Sequence, residues 1–150
     1  MTRAIKLTWI IITIDLLIAI IMIFAMFGIS GFMDTIMEWP EILLIGIFAL
    51  YISGFYVAEK MDKEININHR KTYLIGIPGL LTILIIGTFI GSTMGFLRFG
   101  ISEIGQNPLS DVIFDYYFKP YFWILFFGLI PTIITGFILG KLIKTTANSR

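Results

Sequence analysis

Residues 7–33 read LTWIIITIDLLIAIIMIFAMFGISGFM, and this stretch decides the fold class. It carries one charge, Asp15. About 17–25 apolar residues in a helix cross a hydrocarbon core of about 30 Å, so the stretch is long enough to span a bilayer. Working outward, residues 42–58, 72–97 and 120–140 are free of charge and also qualify, the second at the short end. In hydrocarbon the backbone must satisfy itself, which leaves helices or a closed barrel. Runs such as Ile10-Ile11-Ile12 and Leu80-Leu81 do not alternate as barrel strands must. The expectation is an all-α integral membrane protein with four transmembrane helices, forming a single domain over 1–150.

Composition agrees. The chain is 57% apolar and 14% charged, with a mean hydropathy of +0.92. Soluble domains run at roughly 45–50% apolar and about 25% charged. With no cysteine there is no disulfide, thiolate zinc site, iron–sulfur cluster or cysteine nucleophile, and one histidine excludes a multi-histidine metal site within the chain. A net charge of +1 gives no reason to expect nucleic acid. No metal and no cofactor is expected. Enzyme motifs are missing too: there is no G-x-S-x-G, no H-E-x-x-H and no phosphate loop. An aspartyl enzyme would want two acids in the spans, and only Asp15 lies there.

Lysine and arginine set orientation. Arg3, Lys6, Lys60, Lys63, Arg70, Lys71, Lys141, Lys144 and Arg150 fall on one side, and only Arg98 and Lys119 on the other. Both termini and residues 59–71 should therefore be cytoplasmic, with residues 34–41 and 98–119 outside, in a plasma (inner) membrane. The basic start is not read as a signal peptide, because its apolar run far exceeds a signal's 7–15 residues. The outer face is acidic, with Asp34, Glu38, Glu41, Glu103, Asp111 and Asp115 against those two bases. On the inner loop, His69 beside Arg70 reads as a surface histidine.

The halves resemble each other. At an offset of 64, Thr8-Trp9-Ile10-Ile11 meets Thr72-Tyr73-Leu74-Ile75, and Gly31-Phe32 meets Gly95-Phe96. At an offset of 82, Gly46 meets Gly128, Ser53-Gly54-Phe55 meets Thr135-Gly136-Phe137, and Ala58 meets Gly140. This suggests two tandem two-helix hairpins, 7–61 and 71–143, with chance alignment of apolar sequence as the alternative.

Gly87, Gly91 and Gly95 recur every four residues and share one helix face, with Gly136 and Gly140 similarly placed in the fourth span. Such faces let backbones approach, within a chain or between subunits. Pro78 and Pro131 lie inside spans and should kink them. Residues 107–118 read as a short outer amphipathic helix in the headgroup region, capped by Asn107 with Pro108 in its first turn. Its apolar face would be Leu109, Val112, Ile113, Tyr116 and Tyr117, and its aromatics fit an interfacial belt.

Asp15 is the residue that asks for a function. It sits about eight residues into the first span, about 12 Å deep at about 1.5 Å per residue. An acid inside a span is costly and marks a candidate site. Ser53, Thr82, Thr132 and Thr135 should lie at similar depth and together form a polar layer. Either Asp15 binds a proton or small cation, or it is a hydrogen-bonded knot that fixes packing or recruits a partner helix. The first functional reading is a non-enzymatic scaffold, sensor, immunity factor or accessory subunit of a membrane complex. The alternative is a small homo-oligomeric channel or an ion- or proton-coupled transporter using Asp15. The bilayer, and either copies of the chain or a partner membrane protein, are the expected partners.

Overall fold

The structure is a computed structural model that describes residues 2–38 and 40–147, without the side chains of residues 32, 34–36, 38 and 145–147. Arg150 and the side chains of Asp34 and Glu38, which entered the charge balance, lie outside the described residues. Four helices are long and apolar enough to cross a membrane. They are α1 (Arg3–Glu38), α2 (Pro40–Asp62), α3 (Thr72–Gly95) and α6 (Lys119–Ala147). Two short pieces, α4 (Ile101–Glu103) and α5 (Leu109–Ile113), lie between α3 and α6.

Each long helix packs on its neighbour in sequence, and α6 closes the ring against α1. Ile5, Ile65 and Ile143 belong to one buried cluster. They come from the start of α1, the turn after α2 and the end of α6. Both described ends of the chain therefore meet at one end of the bundle, here the near end, and the other is the far end. The core occupies the near half. Ala4, Ile5, Ile11 and Ile12 of α1 are buried there with Ala58, Met61, Leu80 and Leu139.

The helices overrun the charge-free stretches. α1 continues through residues 34–38, where an outer loop was expected, and α2 extends past Glu59 and Lys60 to Asp62. Charges mark where a helix meets water, but they do not unwind it. A π-helical turn, Lys63–Ile67, then carries the chain on, and it buries Ile65 at 2% exposure. Only residues 68–71 of the near-end connection leave helical geometry, with His69 at φ 52°. Arg70 Nε pairs with Glu64 there at 3.0 Å.

The segment 107–118 is not the isolated helix that its pattern suggests. Leu109–Ile113 passes through a π-helical turn, Phe114–Phe118, directly into α6. Pro108 occupies the cap position in place of Asn107, without a side-chain capping bond. Val112 is 1% exposed, and Tyr116 and Tyr117 are half-buried, whereas Leu109 and Ile113 stay exposed. Tyr116 donates to Glu103 Oε1 at 2.9 Å and Tyr117 to Thr93 Oγ1 at 3.3 Å, so this face packs on α4 and the far end of α3. Arg98 pairs with Glu41, and Lys119 with Asp115 at 2.5 Å, so both far-end bases expected from the sequence have acidic partners.

Glycine explains how closely the helices approach. A Cβ on Gly76 would strike the Gly136 carbonyl oxygen, and one on Gly140 would strike the Thr72 carbonyl oxygen. A Cβ on Gly136 would lie 2.8 Å from Ile77 Cα. Gly91 faces Gly46 of α2, Gly87 faces Leu50, and Gly95 faces Ile42 and Tyr116. All five glycines of the expected packing faces thus meet other helices or turns of the same chain. One close contact recurs at aligned positions of the two hairpins. Gly54 meets Ile12 in the first, and the aligned Gly136 meets Gly76 in the second, where Gly140 also meets Thr72.

Candidate functional site

Asp15 stands where α1 parts from the bundle. Ala4, Ile5, Thr8, Ile11 and Ile12 are buried, but no residue of α1 from 13 to 31 is. The first three turns are therefore packed and the rest of the helix runs along the bundle more loosely. On the facing wall, Thr135 of α6 is buried by its helical register, one turn beyond Pro131. Its Oγ1 donates to Asp15 Oδ2 at 3.1 Å and lies 2.9 Å from the Pro131 carbonyl oxygen. A hydroxyl has one hydrogen, so these two acceptors share it. Asp15 Oδ1 is buried with no hydrogen-bond partner among the described residues. A carboxylate offers about four acceptor sites, and one is in use here.

Asp15 belongs to the wall of a cleft of about 510 Å³ between α1, α3 and α6. Ile12, Leu80 and Ile83 line it at Asp15's level, and Met26, Phe27 and Trp123 line it nearer the far end. Leu50 is the contribution of α2. Among the described residues, Asp15 is the only charged side chain on this wall and Thr132 the only hydroxyl. Clefts of roughly 300–1,000 Å³, mostly apolar with a few placed polar groups, are typical ligand sites.

The expected polar layer is only partly assembled. Asp15, Thr132 and Thr135 come together. Ser53 is buried in α2 and donates to the Ala49 and Leu50 carbonyl oxygens at 2.7 and 3.1 Å. Thr82 is exposed and donates to the Pro78 carbonyl oxygen at 2.8 Å. Both hydroxyls turn back on their own helices, a common outcome for Ser and Thr in apolar helices. They are not linked to Asp15, so no polar chain of these five residues crosses the bundle.

The cleft itself escaped the sequence reading. Met22, Met26, Phe127 and Gly128 line it, and none carries a signal that separates a cleft wall from a lipid-facing side. The one available hint was chemical: an acid in a span needs something to meet. Among the described residues, the wall holds one carboxyl, one hydroxyl and otherwise apolar groups. Its tools are one hydrogen-bonded carboxyl and a large apolar surface. No family model matches the chain, and neither a curated protein nor a solved structure matches it.

Proposed function

We propose that this chain is a non-enzymatic, four-span membrane protein that works by holding a hydrophobic partner in the cleft between α1 and α6. It would serve as a sensor or as an accessory component of a membrane complex. The observation that carries this reading is Asp15: one oxygen is held by Thr135, the other is buried and unpaired, and both sit on an apolar wall. Removing a carboxyl from water costs several kcal/mol or more unless it is paired, and a guest with a donor group would offset that cost. The glycine faces are taken up within the chain, so they no longer argue for assembly around a pore. The proposal places the near end in the cytoplasm, following the lysine and arginine bias. It also takes the two hairpins as tandem copies.

The test is a photo-reactive residue at Ala19, on the cleft wall, compared with one at exposed Leu74, outside it. In native membranes position 19 should capture a discrete species, and Asp15→Asn should weaken that capture. The same spread of bulk lipid at both positions, unchanged by the substitution, would contradict the reading. A second reading, a proton-coupled carrier, draws on the Asp15, Thr132 and Thr135 cluster. It requires pH-dependent flux in liposomes that Asp15→Asn abolishes.

A further inference from the structure

The shape and chemistry of the cleft narrow its occupant, given the binding reading above. Along α1 the cleft runs from Asp15 to Phe27, about 18 Å at about 1.5 Å per residue. The cleft has a volume of about 510 Å³, within the range of small-molecule sites.

Polarity sets the occupant's direction. The only charge on the wall among the described residues lies at the deep end, and the far-end walls are Met26, Phe27 and Trp123. On the near-end side of Asp15 the buried cluster of Ile5, Ile11, Met61, Leu139 and Ile143 closes the bundle, leaving no room for a bulky headgroup. This arrangement rejects a two-chain phospholipid, whose large polar head would have to sit in that cluster. It also disfavours a fatty acid, whose carboxylate would face another. Met22 and Met26 supply adaptable walls for a flexible or flat body.

We infer that the cleft takes a single apolar-bodied molecule ending in one hydrogen-bond donor, an amine or a hydroxyl. That end lies on Asp15, and the body runs toward Phe27 and Trp123. The Asp15 oxygen without a partner accepts the donor, and Thr135 keeps the other oxygen in place.

Trp123 lines the cleft, so its fluorescence reports occupancy. The intact chain in lipid nanodiscs is titrated with three brominated probes of one chain length: stearylamine, stearyl alcohol and stearic acid. Amine and alcohol should quench saturably, at tenfold or more lower mole fraction than the acid. The saturable part should vanish in Trp123→Phe. Asp15→Asn should reduce the amine's advantage at least tenfold, and Ala19→Phe should block all saturable quenching. Unchanged thermal midpoints would show that the variants fold. Saturable quenching by all three probes alike, blocked by Ala19→Phe but indifferent to Asp15→Asn, would overturn the donor assignment and leave a hydrophobic binding cleft. Linear quenching indifferent to both substitutions would overturn this inference and the binding reading together. Disulfide capture of two copies through Ile20→Cys, with loss of probe access, would assign the cleft to a second copy and equally overturn the inference.

Discussion

A methyl group added at Gly76 would run into backbone, whereas one added at Gly87 would meet the Leu50 side chain, at Cγ and one methyl. Backbone cannot move aside without shifting a helix, and a leucine side chain can rotate. Overpacking of the first kind costs about 1–3 kcal/mol, against a gain of about 1 kcal/mol from replacing a helical glycine by alanine. Gly76→Ala should therefore lower the thermal midpoint in detergent, and Gly87→Ala should change it far less. Equal midpoints for the two would mean that α3 and α6 are not in backbone contact. Asp15→Asn keeps an acceptor for Thr135, so stability should stay within about 1 kcal/mol of the parent while binding changes. At this scale the sequence showed which residues were unusual, Asp15 and the spaced glycines, but not what they faced. Spacing shows that Gly136 and Gly140 share a face. Only the packing shows that Thr72, Gly76 and Ile77 fill it.

α1 is two segments of different character. Up to Ile12 it belongs to the core, and none of residues 13–31 is buried, with Ile21 at 66% and Ile29 at 67% exposure. Gly28 then breaks the helix with φ 69° and ψ −173°, a conformation that essentially only glycine adopts. Gly28→Ala should drive the backbone toward regular helix and swing residues 29–38 about this point. Spin-label distances between Met33 and Leu97, both exposed, would register the change as a shifted maximum. An unaltered distance would place the bend elsewhere. The long helices were legible in the sequence, because a charge-free apolar run admits few other structures. Their ends were not. Charge-free stretches mark the hydrocarbon boundary, and helices end where capping and glycine or proline end them. Asn107 was read as a cap, but the preceding extended backbone ends at Pro108 and the helix begins one residue later. The burial of Ile65 was equally hidden, since it sits among charges that imply a solvated loop.

For the molecule as a whole, the chain's lack of cysteine makes topology directly measurable. Single substitutions Lys63→Cys and Glu103→Cys lie at opposite ends of the bundle. An impermeant maleimide should label Glu103→Cys on intact cells and Lys63→Cys only after permeabilisation. The reverse pattern would invert the proposed orientation. The ring of four helices follows from short connections, which make neighbours in sequence neighbours in space. The cleft does not follow from any such rule. It arises because α1 packs only by its first turns, a property of the assembled bundle that no stretch of sequence displays. The central claim is that this cleft, with Asp15 at its floor, holds a discrete hydrophobic molecule. Native mass spectrometry after gentle extraction from the host membrane tests it most directly, comparing the parent chain with Asp15→Asn and Ala19→Phe. The account predicts a small bound mass on the parent chain that is reduced in the first variant and absent from the second. A chain that carries no such mass, or carries it equally in all three forms, would contradict it.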